Sequence, residues 1–264
     1  WYETADVEGY WDDVDNDFGK GYEGVVQYPF GYGLSYTNFS WEIVGAEHAE
    51  NAELTKNDSV SLTVRVTNTG EVAGRDVVEL YYTAPYKSGG IEKSALNLIS
   101  FAKTEVIEPG LYQDVTLSFD VQDMASYDFE DANSNGYTGY ELEKGTYTLS
   151  LRTDSHNVKS LATSGNTKIA SGSFTYQISN DIKYATDKDT GFTVDNRFTG
   201  EDADDGVGID GSDTNANIEY LTRADFEGTF PEGKSAARTI SSNASKYNLY
   251  KSSDANAAID SSDE

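Results

Sequence analysis

The residues whose type and spacing point to chemistry are Asp131, Asn133 and Asn135, followed by Gly136 and Tyr137. Oxygen-bearing side chains at alternate positions, a glycine for a sharp turn and a main-chain carbonyl after it make the first half of an EF-hand-type calcium loop. The second half departs from that pattern. Its last position is Leu142, which offers no side-chain oxygen, with Glu141 and Glu143 on either side. The loop also falls between two predicted strands instead of two helices. An Asx-rich surface turn is therefore the favoured reading, with calcium as the alternative. Calcium is the single cofactor the sequence suggests, and none is required.

Other reactive residue types lead less far. Asp and Glu number 46 against 19 Lys and Arg, for a net charge of −27 over 264 residues. Carboxylate pairs therefore arise by chance, and exposed acids lack the apolar pocket that would hold one member protonated for acid catalysis. No catalytic residue is assigned. His48 and His156 are the two histidines, and there is no cysteine, which disfavours zinc. His156 follows Asp154 and reads as a hydrogen-bonded structural residue. Trp41 alternates with Ile43 and belongs to a core. Trp11, set among acids, is the candidate for an exposed aromatic platform, with packing between domains preferred over stacking on a sugar ring.

The charge argues against nucleic acid and anionic membranes as partners, and suits divalent cations or neutral ligands such as sugars. No run approaches the length of a membrane helix. The start at Trp1-Tyr2-Glu3-Thr4, without an initiator Met, reads as the edge of an excised piece.

These residues must be positioned by strands. Val60 to Val66, Val115 to Val121, Tyr147 to Leu151 and Phe174 to Ile178 alternate apolar and polar residues, which puts the apolar ones on one face. Val77 to Tyr82 is apolar at nearly every residue, as a central strand is. Trp41 with Ile43, and Leu96 to Phe101, supply two more. Asn68-Thr69-Gly70, Glu108-Pro109-Gly110 and Glu143-Lys144-Gly145 mark turns between them. About seven strands over 39–180 predict an all-β, immunoglobulin or fibronectin type III-like sandwich with long, partly irregular extensions at both ends. Residues 1–27 read as an acidic surface loop, and 1–38 as a linker. Residues 181–231 read as an acidic extension whose Phe198, Leu221, Phe226 and Phe230 dock on the sandwich or on a neighbour. Residues 232–264 read as a second linker.

One run is more specific than any of these. Tyr28-Pro29-Phe30-Gly31-Tyr32-Gly33-Leu34-Ser35-Tyr36-Thr37-Asn38 places aromatic residues around two glycines behind a proline, then enters a strand. It closely resembles the segment that opens the fibronectin type III-like domain of family 3 glycoside hydrolases. Asn68-Thr69-Gly70 with Ala73 to Tyr81, Leu98 to Thr104 with Glu108-Pro109-Gly110, and Glu143 to Leu149 ahead of Asp154-Ser155-His156 are similar to later motifs of that domain. Ser100 stands where the family usually has glycine. Gly89-Gly90-Ile91-Glu92-Lys93 and Tyr220 to Pro231 resemble the subgroup in which an α/β domain comes first and a barrel last.

The resemblance implies a parent that cleaves β-linked sugars with retention, using an Asp nucleophile on the barrel and a Glu acid/base on the α/β domain. Neither segment is in this sequence. What the resemblance implies here is a non-catalytic brace whose partners are the catalytic domains of the same polypeptide, with β-linked sugars reached through the parent. Tyr28, Pro29, Phe30, Tyr32, Leu34 and Tyr36 would be its interdomain contacts. Gly89, Gly90, Glu92 and Lys93 would form a cleft-side loop. An exported bacterial location fits, with a cytoplasmic one as the alternative. The competing functions are a free-standing glycan- or protein-binding module and a calcium-stabilised spacer.

Overall fold

The computed structural model describes residues 1–13, 15–16, 19–162, 168–194, 222–224 and 226. Its main body is a two-layer β sandwich. The first layer is β3 (Phe39–Ala46), β4 (Ser59–Asn68) and β7 (Tyr112–Asp120), in the antiparallel order β3-β4-β7. The second is β11 (Ser173–Ile178), β10 (Gly145–Arg152), β5 (Val77–Thr83) and β6 (Asn97–Lys103), in that order.

The alternation seen in the sequence sets the register. In the first layer Val64 faces Val115, Leu62 faces Leu117 and Val60 faces Phe119, while Trp41 faces Val66 across the other edge of β4. All these side chains are buried. A slip of one residue would turn the whole row to solvent, so burial holds the pairing. In the second layer β5 is central. Leu80 faces Leu151 and Tyr82 faces Leu149, and every residue from Val78 to Tyr82 is buried. The two inner faces meet in one core that includes Trp41, Leu62, Leu80, Tyr147, Leu149 and Phe174. Each fully buried Leu or Val contributes about 1.5–3 kcal/mol. The one polar atom of Trp41 is also satisfied, because its indole Nε1 donates to Asp76 Oδ2 at 2.7 Å.

The sandwich carries additions that the strand pattern does not announce. The 3-10 turn Val121–Met124 follows β7, so Val121 ends the strand run instead of extending it. Beyond it, β8 (Ser126–Asp128), β9 (Gly139–Leu142) and β12 (Ile182–Tyr184) form a small antiparallel sheet in the order β12-β9-β8.

The N-terminal stretch differs from the expected surface loop. It holds a six-residue helix α1 (Tyr2–Val7), a short ribbon of β1 (Asp15–Asn16) and β2 (Gly19–Lys20), and a single turn α2 (Tyr22–Val25). Ala5, Trp11, Tyr22 and Phe226 make a second small core. Trp11 is only 5% exposed, so it is not an open platform. Tyr2 stacks on its ring at 5.8 Å, Tyr10 meets it edge-on at 4.9 Å, and its Nε1 donates to the Tyr2 carbonyl. Burial of so large an apolar surface outweighs the acidic surroundings that suggested exposure. Phe226 docks on this second core, whereas Phe198, Leu221, Phe230 and the linker 232–264 lie outside the described residues. No described helix is long and apolar enough to cross a membrane.

Candidate functional site

The run Tyr28 to Tyr36 packs against β5 of the second layer through Gly31. Tyr32 N donates to Pro29 O at 3.0 Å, which closes a tight turn. At its apex Gly31 has φ +85°, a left-handed conformation that glycine adopts at no steric cost. A Cβ at Gly31 would run into the carboxylate of Glu79 on β5. The corner thus rests its backbone on a side chain of the central strand. Glu79 is itself buried and accepts the Tyr81 hydroxyl at 2.7 Å. Burial raises its pKa, partly offset by the Tyr81 bond, and the charge of Asp154 pushes the same way as burial.

A second anchor comes from the turn after β10. Ser155 N donates to Phe30 O at 2.7 Å. The turn is preformed, because buried Asp154 accepts the backbone N–H of His156 and of Asn157 through Oδ1, both at 2.9 Å. Ser155 also gives its hydroxyl to Glu3 Oε1 on α1, and Tyr22 donates to the same oxygen at 2.6 Å. Burial works to raise the pKa of Glu3, but these two donors, with a backbone hydrogen bond and the N-terminal charge, together hold the group below its ordinary value. The Tyr22 ring stacks on His156 at 4.1 Å. The His156 ring thus packs against Tyr22, where the sequence suggested a hydrogen-bonded structural histidine. Arg152 completes the cluster, donating to Ser155 O at 2.9 Å and to Ser150 Oγ at 2.7 Å. One short turn thereby fastens the sandwich, the corner and the N-terminal helices together.

The far end of the corner is fixed by Asn68, which is fully buried. Its Oδ1 accepts the Thr37 hydroxyl at 2.7 Å, and its Nδ2 donates to the carbonyls of Val72 and Ile107. Gly70 is required beside it, because a Cβ there would collide with the Thr37 hydroxyl.

Held from beneath in this way, the corner turns its apolar side chains outward. Tyr28, Phe30, Tyr32, Leu34 and Tyr36 are all exposed, Leu34 to 87%, and Pro29 is half-buried. The Tyr28 and Tyr32 rings lie 5.0 Å apart. Hollows flank the row: one of about 680 Å³ between Tyr22, Val26, Tyr32 and His156, and one of about 770 Å³ between Trp1, Tyr28, Phe30 and Leu98. The result is a row of exposed apolar side chains on the outside of the corner. The nearby carboxylate of Glu79 is covered by Gly31.

The loop Gly89 to Lys93 is tied to its own chain. Gly89 has φ +74°. Lys93 is buried and ion-paired with Glu143. Glu92 accepts from Arg223 N at 2.9 Å and from the Thr222 hydroxyl at 3.1 Å. The Arg223 guanidinium lies over the Tyr86 ring at 4.0 Å and bonds Glu8. Arg223 and Thr222, far away in sequence, were not singled out by any spacing; only their place in the Tyr220–Pro231 motif could have found them.

In the remaining candidate, Asp131 Oδ1 accepts Asn135 N at 2.8 Å and Gly136 N at 3.1 Å. Asn133 and Asn135 both turn their Nδ2 to Glu141 Oε2, at 3.1 and 2.6 Å. Glu141, dismissed in the sequence as a flanking residue, therefore closes the loop.

Residues 76–155 match the family described as "Fibronectin type III-like domain". Beta-glucosidase A of Butyrivibrio fibrisolvens is 38% identical over 165 residues, which is 60% of this chain and 18% of that protein. A beta-glucosidase of Ruminococcus albus is 37% identical over 134 residues, 51% of this chain and 13% of that protein. Among solved structures, beta-glucosidase 3B of Thermotoga neapolitana in complex with α-D-glucose is 28% identical, over 60% of this chain and 18% of that one, with a TM-score of 0.45. The chain thus spans less than a fifth of the length of these relatives. The sandwich and the two sequence matches agree: the chain carries a fibronectin type III-like domain, in a region similar to part of these beta-glucosidases.

Proposed function

We propose that this chain is a non-catalytic brace within a retaining family 3 β-glycosidase that acts on β-glucosides. The sandwich sets the angle between an α/β domain and a barrel that together hold the reactive carboxylates. Its partners are those domains, and sugars are met only through them. The exported bacterial setting is part of the same reading.

The observation that carries it is the outward row Tyr28 to Tyr36, backed by the buried contacts of Gly31 with Glu79 and of Phe30 with Ser155. A surface that is apolar outside and rigid beneath suits a fixed seat for a neighbouring domain. Such a seat matters to rate, because reacting groups displaced by about 1 Å lose roughly a hundredfold.

A second reading, a free-standing glycan-binding module, draws on the hollow beside Tyr32 and His156, whose aromatic walls suit a sugar face. Incubating the purified 264-residue chain with aryl-β-glucosides and with a panel of β-glucans tests both. The brace reading expects neither turnover nor binding. Turnover would overturn it, and saturable glycan binding would favour the module.

A further inference from the structure

We propose that the loop between β8 and β9 is a calcium site, formed by Asp128, Asp131, Asn133, Asn135 and Glu141. Four buried side-chain polar atoms have no hydrogen-bond partner among the described residues, and three of them belong here: Asp128 Oδ2, Asn135 Oδ1 and Glu141 Oε1. Glu141 is 1% exposed and Asp128 2%. Carboxylate oxygens buried without a partner are costly, and a cation removes that cost.

The hairpin register brings these groups together. Asp128 faces Gly139 and Ser126 faces Glu141 across the β8–β9 pair. Asp128 and Glu141 therefore lie diagonally on one face of the ribbon. The Asp131 turn above them presents side-chain oxygens at alternate positions, with Gly136 at φ +74° where such loops bend. Glu141 stands one residue short of the usual closing position. The antiparallel strand geometry, absent from a helical calcium loop, lets it reach inward from there.

Lys183, a described cation that meets this loop, does not serve this role. Lys183 Nζ goes to the carbonyl of Asn135 at 3.2 Å and lies over the Tyr137 ring. It leaves the three orphaned oxygens unbonded. In the metal-free loop, Asn133 and Asn135 instead offer their amide N–H groups to Glu141. Rotating those amides by half a turn exchanges donor for acceptor and presents oxygens to an ion.

No three Asp, Glu, His or Cys side chains among the described residues cluster into a site by themselves, so amide oxygens are needed. An all-oxygen set that is irregular and part amide suits calcium better than magnesium, which demands a near-ideal octahedron.

The test uses the full chain stripped with a chelator. Calcium is added during thermal melting, and terbium luminescence sensitised by the adjacent Tyr137 is recorded in parallel. The expected result is a melting temperature raised by roughly 5–10 °C at a hundredfold excess over Kd. Terbium emission should appear and be displaced by calcium. Glu141→Gln and the more exposed-loop change Asp131→Asn should each weaken binding at least about tenfold. No shift and no emission would overturn the site. An equal shift with magnesium, or an unchanged response in both variants, would also overturn it, since either points to general screening of a chain of charge −27.

Discussion

The amide of Ser155 donates to the carbonyl of Phe30 at 2.7 Å, and this contact joins the turn after β10 to the apolar corner. Because Asp154 fixes the turn and Gly31 rests on Glu79, the corner is held from two directions. Its outward side chains make neither of these contacts, so holding and contacting are separable by mutation.

Gly31→Ala tests the hold. It forces an L-residue to φ +85° and drives a methyl group into the Glu79 carboxylate. A loss of about 1–3 kcal/mol is expected. Gly33→Ala, two residues on, meets open space without positive φ and should change stability by less than about 0.5 kcal/mol. Urea unfolding of both variants reads the difference.

Glu79 gives the fold a signed pH dependence. Its folded pKa lies above the ordinary value of 4.5, so the native state binds more protons than the unfolded one just above that value. Stability from this group is therefore lost as pH rises through that window. Glu79→Gln keeps an acceptor for Tyr81 and removes the charge. The variant should melt at or above the parent temperature at pH 7, with the advantage disappearing below pH 4.5. An advantage that grows with acidity would contradict the assignment.

Asn68 is the polar pin of the corner. Asn68→Ala removes the acceptor of the Thr37 hydroxyl, the side-chain donor to the Val72 carbonyl and one of two donors to the Ile107 carbonyl. The expected cost is about 2–4 kcal/mol, read from the urea midpoint.

The sandwich was legible because its strands repeat every two residues. Val60 to Val66 and Val115 to Phe119 could be paired on paper, and Val77 to Tyr82 could be placed centrally. The sheet of β8, β9 and β12 was not legible, since each of its strands has only three or four residues and shows no period. Trp11 misled for a different reason. Its neighbours in sequence are acids, whereas its neighbours in space include Tyr2, Tyr10 and the distant Phe226. At the corner, the aromatic row and its glycines were visible in the sequence. The role of Glu79 beneath Gly31 was not, because a carboxylate inside a central strand carries no sign of what covers it. Glu141 was passed over by one position, since loop templates drawn from helices take no account of a carboxylate that a strand turns into the loop.

The brace itself is tested most directly by replacing Phe30, Tyr32 and Leu34 together with Ser in the longer enzyme that contains this domain, and measuring kcat/KM beside the melting of the isolated chain. The account predicts that the isolated chain melts as before while kcat/KM of the enzyme falls by at least about tenfold. An unchanged kcat/KM, with all three apolar side chains gone, would contradict it.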